Sequence, residues 1–149
     1  SLDHSLETAP EREVVTSSGK RIDLLLEGEK WVIVLENKIY HSQNNPFQAY
    51  EDFVHKDRRE QFENKTVIFV VLSPQGNAPA AFPKWLGIKY SDLIRLIKQN
   101  LADHFISQPL NKWLILLREY LLHLEGMMPE KKKTNIGLTP KMTKGFVHF

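Results

Sequence analysis

A chain of 149 residues, 42% hydrophobic and 26% charged, reads as one globular domain with enough apolar material to bury a core. Its net charge of +2 says little about a polyanionic partner, so any basic footprint has to be local. The absence of cysteine excludes disulfides, thiolate zinc sites and cysteine nucleophiles; no apolar run reaches the about 20 residues of a membrane span and no signal peptide opens the chain, so a cytoplasmic setting is expected.

The chain opens on Ser-Leu-Asp without a Met, as a processed or trimmed fragment would. Residues 5–12 (SLETAPER) are polar, and Pro10 ends any helix begun there. Residues 13–16 (EVVT) predict a short strand that turns through Ser17-Ser18-Gly19. Then come two apolar runs, 22–26 and 31–35, joined by Glu27-Gly28-Glu29-Lys30, the pattern of a β-hairpin. The expectation is a three-stranded meander over 13–16, 21–27 and 31–39. Its third strand, apolar on both faces, suits a central position. Alternation along that strand puts Glu36 and Lys38 on one face and Asn37 on the other. Asp23 inside an apolar strand is costly without a partner, and a metal ion shared with Glu36 would supply one. The plainer alternative is that Asp23 meets water and that Glu36 and Lys38 form a surface ion pair worth little.

Beyond Lys38 a polar loop, His41-Ser42-Gln43-Asn44-Asn45, leads to Pro46, and Asn followed by Pro signals a helix start. Phe47, Tyr50, Phe53 and Val54 fall at helical spacing, so a helix is expected to Glu63, with Asp57-Arg58-Arg59-Glu60 on its solvated face. Residues 66–72 (TVIFVVL) predict a buried strand ended by Ser73-Pro74. Strand, helix and strand make a βαβ unit with parallel strands and a right-handed crossover. After a Pro- and Gly-containing loop at 74–83, residues 87–90 (GIKY) predict a short strand, and Ser91-Asp92 an N-cap for a helix to Asn100. A longer helix starts at His104 or Pro109 and runs to Leu124, with Leu110, Trp113, Leu114, Leu117, Leu121 and Leu124 in period and Gly126 ending it. Its Trp113/Leu117/Leu121 stripe is core or a dimer surface. This gives a domain at 1–126 and a basic tail at 127–149 that carries Lys131-Lys132-Lys133.

Asp23, a hairpin turn and then Glu36-Asn37-Lys38 resemble the PD-(D/E)XK nuclease superfamily, whose signature is an Asp followed by a strand-borne (D/E)-X-K. Gly19-Lys20-Arg21-Ile22-Asp23 and Val34-Leu35-Glu36-Asn37-Lys38-Ile39 are similar to the bacterial and phage group reading GRID and ENKI. Ile22 stands where the family name has Pro. The resemblance implies a restriction-endonuclease-like α/β fold. Its core is a mixed central β-sheet, an antiparallel meander plus a parallel strand after a crossover helix, flanked by helices. The family's leading helix would fall at 2–8 or in missing sequence.

The same resemblance implies a metal-dependent deoxyribonuclease, endonuclease or exonuclease. Phosphodiester hydrolysis needs charge neutralisation on the phosphate, a deprotonated water in line and help for the leaving oxygen, which Mg²⁺ (or Mn²⁺) supplies when carboxylates hold it with open positions. Asp23 and Glu36 would be the ligands, the Asn37 carbonyl a further one, and Lys38 would position the attacking water. Glu13, on the first strand, is a candidate for the metal shell or for orienting Lys38. Gln48 and Tyr50 stand near a Gln and a Tyr that border the site in relatives, but two residues apart rather than four. Glu7 would be the acidic residue of the leading helix. His41 lies close enough to the motif to reach a phosphate, and Lys56, Arg58 and Arg59 are either a phosphate-contacting patch or a solvated face. The partner implied is nucleic acid, DNA first, with no membrane, and a homodimer through the 110–124 helix suits cutting both strands. The alternatives are a catalytically silent nuclease-fold module that binds nucleic acid or protein in a larger assembly, and an α/β domain in which the trio is only an ion-pair network.

Overall fold

The computed structural model describes residues 3–38 and 45–128. Strands β1 (Glu11–Val15), β2 (Arg21–Glu27) and β3 (Trp31–Asn37) come first. Helix α1 (Phe47–Asp52) widens into a π-helical stretch (Phe53–Asp57) and closes in α2 (Arg59–Phe62). Strands β4 (Thr66–Ser73) and β5 (Trp85–Lys89) follow, then helices α3 (Tyr90–Ser107) and α4 (Lys112–Met127). The five strands lie side by side in chain order, β1 to β5; the first two pairs are antiparallel and the last two parallel. This is the mixed, helix-flanked sheet expected of a restriction-endonuclease-like fold.

The hairpin follows from local chemistry. Gly28 lacks the Cβ that would run into the Trp31 indole, so the turn closes tightly and Gly28 N–H donates to the Trp31 carbonyl at 2.9 Å. Strand β2 then pairs with β3 through Leu24–Leu35, Leu25–Val34 and Leu26–Ile33. The connection from β3 to β4 is too long for a hairpin and carries a helix, so the two strands run parallel, from Trp31–Thr66 to Asn37–Leu72. Strand β3 is central, as its doubly apolar sequence requires.

Both faces of the sheet are covered. On one, Val32, Val34, Phe69 and Val71 meet Phe47, Tyr50, Phe53, Val54 and Phe62 of the crossover helix. Trp85 sits at the centre of that layer, its ring centroid 4.7 Å from Phe47 and 5.1 Å from Phe69. At about 1.5–3 kcal/mol per large side chain fully buried, this layer is what holds the helix to the strands. On the other face Leu72, Tyr90, Ile94, Leu121 and Leu124 form a second core, with Leu35 and Leu117 against it.

Several boundaries differ from the sequence reading. The first strand begins at Glu11 rather than residue 13. The crossover helix is not regular: the π-helical turn inserts a residue, which keeps Phe53, Val54 and Phe62 on the core side. The same turn brings Arg58, expected in solvent, onto Glu11 through two bonds of 2.5 and 2.8 Å. Strand β5 starts at Trp85, which is buried, so the short strand begins two residues earlier than expected and ends at Lys89. Helix α3 starts at Tyr90, without a side-chain cap from Ser91 or Asp92, and continues to Ser107. Helix α4 is capped by Asn111, whose side chain accepts from Trp113 N and Leu114 N, and Gly126 lies within its last turn rather than beyond its end. Leu121 and Leu124 are core, but Trp113 is 68% exposed and Leu110 precedes the helix in solvent.

No helix occupies described residues 3–10; Leu6 instead bridges Gly28, and Glu7 N–H donates to the Glu27 carbonyl at 2.8 Å. Among the described residues no helix is long and apolar enough to cross a membrane. Ile39, His41 and the Lys131–Lys133 run, with the rest of the basic tail from residue 129, lie outside the described residues.

Candidate active site

Two strand ends build the site. Continuing the β2–β3 register one step beyond Leu24–Leu35 sets Asp23 opposite Glu36. The parallel ladder continues past Asn37, where Lys38 N–H donates to the Leu72 carbonyl at 2.8 Å, so Lys38 keeps strand geometry and shares the Glu36 face. Asp23 is fixed by its neighbour strand: its Oδ2 accepts the Asn37 main-chain N–H at 2.7 Å. The Asn37 side chain turns to the opposite face, where its Oδ1 accepts from the Tyr90 hydroxyl.

Glu36 is the anomaly of the sheet. It is only 8% exposed, its Oε1 accepts from the Asn45 amide, and its Oε2 is the one buried side-chain nitrogen or oxygen among the described residues without a hydrogen-bond partner. Glu27 gives the contrast. It is also buried, yet Lys65 Nζ binds one oxygen at 2.7 Å and Gln61 Nε2 the other at 2.8 Å. The protein can satisfy a buried carboxylate, and at Glu36 it leaves one oxygen open.

The electrostatics follow from that arrangement. Burial, and then the nearby Asp23 charge, push the Glu36 carboxyl up to about 7, against the opposing pull of Lys38, Tyr50 and Asn45. Burial lowers the Lys38 ammonium below its ordinary value, with Glu36 and Asp23 pulling the other way. The ammonium lies 5.8 Å from the centre of the Phe47 ring, a cation–π contact with the first residue of α1. Tyr50 is buried, donates to the Arg21 carbonyl at 2.7 Å, and is raised by burial and by the Glu36 and Asp23 charges. Tyr90 is pushed up to about 12 by burial, Tyr120 and Asp23.

A divalent ion fits this donor set. Two carboxylates in one another's field, one with an unpartnered buried oxygen, form a hard-oxygen donor set. No group of three or more His, Cys, Asp or Glu side chains gathers among the described residues. An ion here would therefore complete its shell from main-chain carbonyls, water and substrate phosphate, as Mg²⁺ habitually does.

Asp23, Glu36, Asn37 and Lys38 thus come together. The β1–β2 register also sets Glu13 across from Asp23, between the pairs Arg12–Leu24 and Val14–Ile22. Its carboxylate, however, is on Arg21 Nη1 at 2.7 Å, both side chains are 64% exposed, and its φ of 55° is unusual for a residue with a side chain. Gln48 is exposed and donates to Asp52 Oδ1 at 3.1 Å, so Tyr50 is the member of that pair that feels the carboxylates. Glu7 sits at the far end of β2 on Lys65. Lys56 pairs with Asp52 and Arg58 with Glu11, so the three cations at 56–59 do not form one patch. Two residues with roles in the geometry, Asn45 and Tyr90, read in the sequence only as a helix-start residue and a strand end. Neither type nor spacing marks them; their partners do.

A family model described as the PD-(D/E)XK nuclease superfamily matches residues 7–122, more than half of the chain. No curated protein and no solved structure matches it.

Proposed function

The chain belongs to the PD-(D/E)XK nuclease superfamily, and from that premise we propose that it is a metal-dependent deoxyribonuclease that hydrolyses phosphodiester bonds. The observation that carries the reading is the open, buried Oε2 of Glu36 beside Asp23, with Lys38 on the same face. Asp23 and Glu36 would hold Mg²⁺ or Mn²⁺, with the Asn37 main-chain carbonyl as a further ligand. Bound there, the ion supplies charge neutralisation on the phosphate and a more acidic water.

The chain's own groups do the rest. Asp23, already held by the Asn37 N–H, keeps its rotamer without spending its second oxygen. Lys38 orients the attacking water with its ammonium and stabilises charge that develops on the phosphate. Its lowered pKa makes it a better proton donor and acceptor near neutrality than an ordinary lysine. In this reading Glu13 and Gln48, both exposed, contact substrate or solvent at the rim.

A second reading, a nuclease-fold module within a larger assembly, is favoured by one observation: Trp113, Leu116 and Tyr120 form an exposed apolar stripe along α4. The discriminating experiment offers supercoiled, linear and single-stranded DNA to the purified protein with Mg²⁺, Mn²⁺ or EDTA, beside folded Asp23→Ala and Lys38→Ala variants. Metal-dependent cleavage lost in both variants is the expected result. Cleavage that survives both refutes the assignment of the centre, and metal binding without cleavage of any substrate transfers the argument to the second reading.

A further inference from the structure

We propose that Asn45 is a positioning residue for the metal centre, holding Glu36 by Oε1 so that Oε2 is the oxygen presented to the ion. The proposal rests on the metal-dependent reading above and adds a residue to it. An ionised carboxylate only accepts hydrogen bonds, and the Asn45 amide is the donor on one of its two oxygens. The other oxygen is buried and open. One donor on one oxygen fixes the carboxylate's rotation and decides which oxygen is left over.

The chemistry of the donor matters. At Glu27 the corresponding partner is the Lys65 ammonium, a cation that Glu27 shares with Glu7. A cation in the place of Asn45 would compete with a metal for the Glu36 charge. A neutral amide orients the ligand and leaves that charge for the ion, as outer-shell partners of metal ligands do.

Asn45 is itself held rigidly enough to do this. Pro46 restricts the backbone of the residue before it. The Asn45 carbonyl accepts from Phe47 N at 2.9 Å, and Phe47 is buried against Trp85, Phe82 and Tyr50. Glu36 is held from the other side by its β-ladder position opposite Val71. The aromatic core therefore fixes the distance between the start of α1 and the end of β3. The same Phe47 ring lies under the Lys38 ammonium, so one anchored segment touches both Glu36 at the end of β3 and Lys38 just beyond it.

The test is Mn²⁺ binding to the full chain without DNA, by titration calorimetry and by the loss of the free-ion electron paramagnetic resonance signal. Wild type is compared with Asn45→Ala, the near-isosteric Asn45→Leu, Asn45→Gln and Asp23→Ala, each checked for metal-free thermal unfolding. Asn45→Ala and Asn45→Leu are expected to bind about 10-fold more weakly at unchanged stoichiometry, while Asn45→Gln, which keeps an amide donor, recovers part of the loss. Wild-type affinity in either folded loss variant overturns the proposal. Equal loss in Ala, Leu and Gln variants points to a structural role and overturns it too. If wild type binds no Mn²⁺, or binds it regardless of Asp23→Ala, the metal reading itself falls and takes this inference with it.

Discussion

Glu36→Gln should stabilise the metal-free protein above neutral pH and do little to it in acid. The wild-type carboxyl titrates at about 7 in the folded chain against an ordinary 4.5, chiefly because it is buried and faces Asp23. The folded form therefore holds the proton more tightly than the unfolded one. That contribution is complete below pH 4.5 and is lost as pH rises through about 7, so stability falls across this window. At about 1.4 kcal/mol per pH unit the ceiling is about 3 kcal/mol. The site opens partly to solvent, which reduces the expected difference to about 1–2 kcal/mol. Gln keeps an acceptor for Asn45 and carries no charge, so it escapes the penalty. The measurement is urea denaturation in EDTA between pH 4.5 and 8.5, with buried Trp85 as a fluorescent reporter. A gap that is constant over the window, or a wild type at least as stable as Glu36→Gln at the alkaline end, refutes the reasoning. Mg²⁺ should then stabilise wild type by mass action and leave Glu36→Gln unmoved.

Other outcomes follow from the same geometry. Metal-dependent cleavage should rise with pH through about 7 as Glu36 ionises, and the midpoint should move down as Mg²⁺ is increased, because the ion competes with the proton; a profile indifferent to Mg²⁺ concentration would contradict this. Lys38→Ala should lower kcat by about 10²–10³-fold, the typical loss for one group that stabilises developing charge, with DNA affinity measured separately in Ca²⁺ little changed. Tyr90→Phe removes the donor to Asn37 Oδ1 and should cost about 0.5–1.5 kcal/mol in chemical denaturation, because exposed Asn37 can turn to water instead. Trp85→Ala, at the centre of the layer between sheet and crossover helix, should cost about 3–5 kcal/mol and broaden the unfolding transition.

Local chemistry settled much of this protein before any folding. Strand β2 has the expected bounds, its apolar run plus one charged residue at each end, and β3 begins where its run begins, because alternation and the Gly28 turn act within a few residues. The parallel pairing of β3 with β4 was legible from the length and helical spacing of the connection. Asp23, Glu36 and Lys38 could be singled out because charges in apolar strands demand an explanation. What the tertiary structure alone decided is which polar side chains find partners. Arg58 leaves the solvated face predicted for it because Glu11, 47 positions away, comes within reach across the π-helical turn. Glu7 meets Lys65, 58 positions on, and not the site. Tyr90 reaches Asn37 over 53 positions, while Glu36 receives one donor, Asn45, and keeps an open oxygen. Periodicity and turn chemistry are short-ranged and can be read along a chain; satisfaction of a buried polar group depends on elements that meet only once the chain has folded.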